Sequence, residues 1–260
     1  MTLSPLPIRE IDTIDRFTTK VGVYARYRWQ YPQEAIAKIM EVAGLNDASV
    51  VADIGAGPGT VARHFVTRVG VVYAVEPNVE MRRQATDDLG QYPAFIPTAG
   101  RAEATTLPDR SVDAIAIGRA LHWFDPEPTR LEFLRILKPG GWLATLGEER
   151  TQADLEEAIR AICTPELGWR THDDKSHIER VSPDFYFGHE SFDAYRFQEV
   201  SEETWEMFLG RIASRSAAPD PDHPLRVRFE QAARAVFDRF RQDGLLPVVH
   251  NTLLFMGQPA

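Results

Sequence analysis

The stretch "VVADIGAGPGTVARHF", Val50 to Phe65, decides how the chain is read. Its first five residues, Val50 to Ile54, are mostly apolar and form a short buried strand. Gly55, Gly57 and Gly59 follow at alternate positions. Apolar residues at Val61, Ala62, Phe65, Val66 and Val69 then predict a helix over Thr60 to Val69. Strand, glycine turn and helix in this order bring bare backbone against a small ligand. Glycine permits the sharp turn and puts no side chain in the way, and a helix start offers unpaired N–H groups. The next apolar run, "GVVYAVEP", ends in Glu76, 21 residues after Gly55, and is stopped by Pro77. A carboxylate at that place can accept both hydroxyls of a ribose.

The glycine spacing separates the nucleotide ligands. The dinucleotide fingerprint is G-x-G-x-x-G. Its third glycine would fall at position 60, which is Thr60; here the third glycine comes one residue early, beside Pro58. That leaves a poorer pyrophosphate cradle, so an NAD(P)-dependent oxidoreductase is the weaker reading of the same geometry. No G-K-[ST] follows, which excludes a P-loop.

Outward from this stretch the elements alternate. "YPQEAIAKIMEVAGL" spaces Ile36, Ile39, Met40 and Ala43 as one helix face. "NVEMRRQATDDL" is a helix with Asn78 as its N-cap. "PAFIPTAG" and "SVDAIAIGRA" are the third and fourth strands. "DPEPTRLEFLRILKPGG" is a helix opened by Asp125 and Pro126 and ended by Pro139-Gly140-Gly141, and "WLATLGEE" is the fifth strand. Alternation over Val50 to Glu149 predicts an α/β protein with a Rossmann-like, doubly wound sheet. In such a sheet the ligand crevice lies outside the carboxyl ends of the strands. Gly55–Gly59, Glu76, Gly100–Glu103 and Gly118–Trp123 all fall there.

Beyond Arg150 the pattern loosens. The expected organisation is N-terminal cap helices over 1–45, a cofactor-binding core over 46–150, a lid or insertion over 151–190, and the end of the sheet with helical cover over 191–260. "FDAYRFQEV" and "VVHNTLLFMG" read as strands. "SEETWEMFLGRIASRS" reads as a helix capped by Ser201, and "PLRVRFEQAARAVFDRFRQ" as another, with Phe229, Ala233, Val236, Phe237 and Phe240 inward. No second independent core is expected. Trp205, Arg211, Ser214 and Ser216 are candidates for a pocket wall, against a plainer reading of Trp205 as core and the others as solvent-facing.

The chain has 260 residues, 43% of them apolar, a formal charge of −9 and a pI near 5.3. The acidic balance disfavours nucleic acid and anionic lipid as partners. Cys163 is the one cysteine, so neither an internal disulfide nor a thiolate metal cage can form. His172, His177 and His189, with Asp173 and Asp174 nearby, match no compact zinc signature, so no metal is expected. The N-terminus shows no secretory pattern and no apolar run is long enough to span a bilayer, which makes a cytoplasmic protein the expectation.

These residues resemble the class I S-adenosylmethionine-dependent methyltransferases. "VVADIGAGPG" is similar to their first motif and "VYAVEPNVEMR" to their second strand with its ribose-binding acid. "GRAEATTLPDRSVDAIAIGRALHWFD" with "RILKPGGWLA" resembles a small-molecule branch that includes trans-aconitate methyltransferase-like proteins. "FTTKVGVYARYRWQYP" is similar to that branch's opening. The resemblance implies a seven-stranded sheet, mostly parallel with an antiparallel last strand, plus a helical lid. It also implies S-adenosylmethionine as cofactor, S-adenosylhomocysteine as product and a small-molecule methyl acceptor. Carried over, Gly55, Ala56 and Gly57 would lie against the methionine part and Glu76 on the ribose. Pro77 and Met81 would flank the adenine, with Ala102 and Glu103 at its edge and Gly118 near the sulfonium. The chain departs from the pattern at Trp29, where a proline is usual, and at Arg119, where a small or neutral residue is usual. That arginine raises the question of an anionic acceptor.

A methyl sulfonium is already a strong electrophile, so positioning supplies much of the catalysis. His122 is the candidate base, placed just after the fourth strand; the alternative is a loop-orienting role beside Trp123. Tyr24, Arg28, Arg119 and Trp123 are the candidate substrate contacts. A methyltransferase-like binding protein without turnover fits the same residues.

Overall fold

The computed structural model describes residue 27 and residues 29–162, 182–215 and 218–260. In chain order the elements are α1 (Gln33–Val42), β1 (Val50–Ile54), β2 (Val71–Val75), α2 (Val79–Leu89), β3 (Phe95–Thr98), β4 (Val112–Gly118), α3 (Pro126–Ile136) and β5 (Leu137–Glu149). Then follow α4 (Ala153–Ile162), α5 (Pro183–Phe187), β6 (Asp193–Glu203), α6 (Trp205–Ala213), α7 (Arg226–Phe240) and β7 (Leu246–Gly257). The strands form one sheet in the order β3-β2-β1-β4-β5-β7-β6. Neighbours from β3 to β5 run parallel, and β7 lies antiparallel to both β5 and β6. This is the expected mostly parallel sheet with an antiparallel last strand.

The strand order reverses between β1 and β4. β1 is buried from Val51 to Ile54 and β4 from Ala114 to Ile117, because both faces carry cover. On one face Ile36, Ile39, Phe65, Val66 and Leu89 pack against the sheet. On the other Phe124, Phe133, Ile136, Tyr186 and Phe187 do so. Asn78 caps α2 as expected, its side chain accepting from the N–H of Met81 at 2.9 Å.

Four expectations need correction. No regular helix spans Thr60 to Val69: the segment holds a short 3-10 turn, Ala62–His64, within irregular turns. Gly59 sits at φ +79° just before it, and Asp53 accepts the N–H of Ala62 at 2.8 Å, which ties the turn to the strand end. Pro139-Gly140-Gly141 does not end α3. The helix stops at Ile136, and these residues form a bulge inside β5, with the register to β4 jumping between Val112 and Ala114 and Gly140 at φ +77°. The cap of α6 is Thr204, which accepts from the N–H of Met207, while Ser201 lies inside β6. Finally, there is a separate apolar cluster. Leu155, Ile159 and Ile162 of α4 meet Phe208 and Ile212 of α6, Phe229 and Phe237 of α7, and Leu246 and Val248 of β7. The parallel half of the sheet and this helical group therefore each have their own packing centre.

Candidate active site

The carboxyl ends of β1, β2 and β4 surround a slot of about 120 Å³, lined by Gly55, Gly57, Glu76, Met81, Ala102 and Gly118 among others. Its geometry begins at the glycine turn. Gly55 and Gly57 both have positive φ, +70° and +55°, a region that a side chain makes costly. They serve different ends. A Cβ on Gly55 would stand 2.6 Å from Ala120, whereas one on Gly57 would meet nothing within 4 Å. Gly55 is therefore needed for packing, and Gly57 presents open backbone to the slot.

Glu76 faces this turn. One carboxylate oxygen accepts the Gly57 N–H at 2.8 Å and the other the Asn78 N–H at 2.9 Å. The side chain is clamped from both sides, with lone pairs left for hydroxyl donors. Burial raises its pKa, and the two backbone N–H groups oppose that rise. The Arg82 guanidinium holds the Glu76 carbonyl at 2.7 Å. On the far wall, Glu103 accepts the Asp125 N–H at 2.9 Å, fixing the start of α3 beside Ala102.

Asp53 is a buried carboxylate beside the glycine turn that reading the motif for its glycines passed over. It is 1% exposed; one carboxylate oxygen holds Ala62 and the other has no hydrogen-bond partner. Burial first, and then the charge of Glu76, raises its pKa from 3.8 to about 7. The signal available in sequence was a carboxylate inside an otherwise apolar strand, immediately before the turn.

The other candidates fall in three groups. Gly55, Gly57, Glu76, Pro77, Met81, Ala102, Glu103, Gly118, Arg119 and Trp123 all line the slot. Ala56 does not; it is buried in the turn, its N–H on the Val75 carbonyl at 3.1 Å. His122 is also outside it, exposed on the short turn Leu121–Trp123 with its ring 4.8 Å from that of Trp123. Tyr24, Arg28, Cys163, His172, Asp173, Asp174, His177 and Ser216 lie outside the described residues.

Arg119 stands at φ +54° and its side chain is 6% exposed. Its guanidinium pairs with Glu148 at 2.8 Å, donates to the Trp29 carbonyl at 2.9 Å and lies 4.8 Å from the centre of the Tyr31 ring. Its charge is thus engaged inside the chain, and it ties the segment Trp29–Tyr31 to the end of β4. The plainer reading of Arg211 and Ser214 as solvent-facing is overturned: both are buried, and Arg211 forms a two-pronged pair with Glu203 at 2.7 and 2.8 Å.

Residues 52–145 match the family model described as "Methyltransferase domain". Over this stretch the chain is similar to methyltransferases in sequence, and its sheet has the fold of solved methyltransferase structures. An uncharacterized methyltransferase of Mycobacterium bovis is 38% identical over 136 residues, 52% of this chain and 53% of its own length. A trans-aconitate 2-methyltransferase of Azoarcus is 37% identical over 103 residues, 38% of this chain and 39% of its own. The match thus spans about half the length of the first of these relatives and less of the second. A candidate type II methyltransferase from Anaeromyxobacter dehalogenans superposes with a TM-score of 0.61 at 22% identity, over 90% of this chain and all of that one. The YcgJ protein of Bacillus subtilis gives 0.56 at 18%, over 88% and 100%. These structural likenesses show the fold.

Among the described residues no group of histidine, cysteine or carboxylate side chains could hold a metal, and no helix is long and apolar enough to cross a membrane.

Proposed function

We propose that this chain moves a methyl group from S-adenosylmethionine, by in-line displacement, to an O, N or C nucleophile of a small molecule. Residues 46–150 form its cofactor-binding core. The carrying observation is the Glu76 carboxylate, clamped by Gly57 and Asn78 at the mouth of a slot whose floor is open backbone. The residues fit the group. Glu76 would hold the ribose, Pro77 and Met81 the adenine, and Ala102 and Glu103 its edge. Gly55, Ala56 and Gly57 would follow the methionine part, with Gly118 near the sulfonium.

When bound, S-adenosylmethionine supplies a methyl carbon activated by positive sulfur. The chain's own contribution is to align the nucleophile, exclude water and offer no competing nucleophile. The nucleophile's lone pair forms the new bond, the C–S pair stays on sulfur, and a proton on the nucleophile leaves to solvent. The nicotinamide reading loses support here. A pyrophosphate needs a helix N-terminus, and the segment after the glycines has only a short turn whose Ala62 N–H is already committed to Asp53.

Calorimetry with S-adenosylhomocysteine tests the reading. A saturable one-to-one isotherm that is lost in Glu76→Ala is expected. No heat at millimolar ligand, or equal binding of NADH, would overturn it.

A further inference from the structure

Beside the slot lies a larger cavity of about 610 Å³, walled by Tyr27, Trp29, Tyr31, Ser201, Met207 and His250 among others. It falls within the span of about 300–1,000 Å³ typical of small-molecule sites. The two hollows meet at Tyr31. This residue lines the cavity, and its hydroxyl stands 2.7 Å from where a Cβ on Gly118 of the slot would be. We propose that this cavity is the methyl-acceptor pocket and that it takes a flat aromatic small molecule bearing a hydroxyl group, its rings packed against Tyr27 and Trp29 and its hydroxyl held by the Ser201–His250 pair. The inference rests on the methyl-transfer reading above.

The rings come first. Tyr27, Trp29 and Tyr31 stand at alternate positions in the sequence, and each is held in place. A Cβ on Gly210 would collide with the Tyr27 ring. Glycine inside a helix costs stability, and at this position in α6 it makes room for that ring. The Tyr27 hydroxyl then donates to Glu206 at 2.7 Å. Trp29 is held by two arginine–glutamate pairs at once. Its carbonyl accepts at 2.9 Å from Arg119, the partner of Glu148. Its indole N–H donates to Glu203 at 3.2 Å, and its ring centre lies 4.8 Å from the guanidinium of Arg211, the partner of Glu203. Tyr31 carries the Arg119 guanidinium on its ring. Rings fixed before a ligand arrives lose little freedom on binding, and an aromatic wall favours a flat π system in offset or edge-on contact. Met207, 44% exposed, adds a polarisable side chain to the same wall.

The hydroxyl follows from His250. This residue is 9% exposed, its Nε2 lies 2.6 Å from Ser201 Oγ, and its Nδ1 has no hydrogen-bond partner. Burial and the Arg211 charge lower its pKa to about 3, so the imidazole is neutral, with one donor and one acceptor nitrogen. Ser201 can donate to Nε2 or accept from it, which leaves Nδ1 as donor or acceptor in turn. A ligand hydroxyl meets both cases, because it donates and accepts; a carbonyl or an ammonium meets only one. A buried polar atom without a partner is costly, and a hydroxyl bound to the pair offsets that cost. The hydroxyl end of the ligand is the handle, and the end that takes the methyl group reaches past Tyr31 towards Gly118.

Calorimetry and equilibrium dialysis on the whole chain, saturated with S-adenosylhomocysteine, decide this. The probes are 2-naphthol, its puckered saturated counterpart decahydro-2-naphthol, and naphthalene, which lacks the hydroxyl. Saturable binding of 2-naphthol is expected, about tenfold tighter than the saturated alcohol and about fivefold tighter than naphthalene. Trp29→Leu should weaken 2-naphthol by about fivefold, and Trp29→Phe should recover most of that loss. Both should keep S-adenosylhomocysteine affinity, which certifies folding. His250→Phe keeps a flat ring and should erase the preference for 2-naphthol over naphthalene. Equal binding of the saturated alcohol, or 2-naphthol binding indifferent to Trp29→Leu and His250→Phe, overturns the assignment. If S-adenosylhomocysteine binds and 2-naphthol does not, the pocket assignment fails and the methyl-transfer reading stands. If S-adenosylhomocysteine does not bind, both fall.

Discussion

The two hollows on either side of Tyr31 are made of opposite materials. The slot is built from backbone and strand ends between Gly55 and Phe124, and its decisive contacts join residues close in sequence, such as Gly57 with Glu76. The cavity is built from side chains brought together across most of the chain, Tyr27 with Glu206 and Trp29 with Glu203. A backbone slot can grip a part that many ligands share, because main-chain geometry changes little with side-chain identity. A side-chain cavity can select, because every wall residue is adjustable. Substitutions should therefore separate the two: some emptying the slot alone, one disturbing both, and some leaving both intact.

The largest effect is expected from Glu76→Ala. It removes the acceptor of two N–H groups, those of Gly57 and Asn78, each worth about 1–3 kcal/mol when buried without a partner. S-adenosylhomocysteine binding should fall by about a hundredfold or more, measured by calorimetry. Equal loss in both hollows would show that they are not separately built.

Arg119→Met should disturb both. The guanidinium lines the slot and holds Trp29 and Tyr31 of the cavity wall, and its removal takes from Glu148, 16% exposed at its side chain, the partner that stands 2.8 Å away, leaving Arg150 at 3.7 Å. Breaking one side of a largely buried pair costs about 3–5 kcal/mol, so a marked fall in thermal midpoint is expected. Ligands on both sides should weaken together as Trp29 and Tyr31 loosen.

What could be read in advance follows the same division. Strand ends, the glycine turn and Glu76 were readable because local pattern sets them: short apolar runs, punctuation by Pro77, and a carboxylate at the right distance along the chain. Asp53 was not, because its role depends on burial between two strand ends and on the neighbouring charge of Glu76. The apolar spacing over Thr60–Val69 was real, since Val61, Ala62, Phe65, Val66 and Val69 are all buried, but turns around a short 3-10 segment bury them in place of a regular helix. Arg211 resembled a solvated helix residue until Glu203 arrived from β6 to pair with it. His250 gave no signal at all in "VVHNTLLFMG", where it alternates like any strand residue.

A smaller effect, visible only against pH, is expected of Asp53. Its pKa in the folded chain is raised to about 7, so the folded state holds that proton where the unfolded chain has lost it. The stabilisation is complete below pH 4, the ordinary carboxylate range, and disappears as pH rises through 7. His64 runs the other way, its pKa lowered to about 4 by burial; its contribution is present above its ordinary 6.5 and is lost on acidification. Wild type and Asp53→Asn share that histidine, so the difference between their melting temperatures isolates the aspartate. The amide keeps an oxygen for the Ala62 N–H, and the variant should gain on wild type between pH 6 and pH 8. A difference that stays flat across that range would place the ordinary carboxylate pKa in the folded chain.

The smallest effect is expected from His122→Ala. A general base in contact with the nucleophile contributes about 10²–10⁴-fold to rate. His122 stands exposed on its turn, outside both hollows, with its ring 4.8 Å from that of Trp123. Its removal should change S-adenosylhomocysteine affinity by less than about twofold, since an exposed side chain away from the ligand carries under 0.5 kcal/mol. Once an acceptor is in hand, the methyl-transfer rate of the same variant separates the two roles open to this residue. A loss of a hundredfold with unchanged affinity would bring the imidazole to the reacting atoms. A small loss that follows the orientation of Trp123 would make it a support for the slot wall, leaving alignment by the backbone turn and by Tyr31 as the main source of rate.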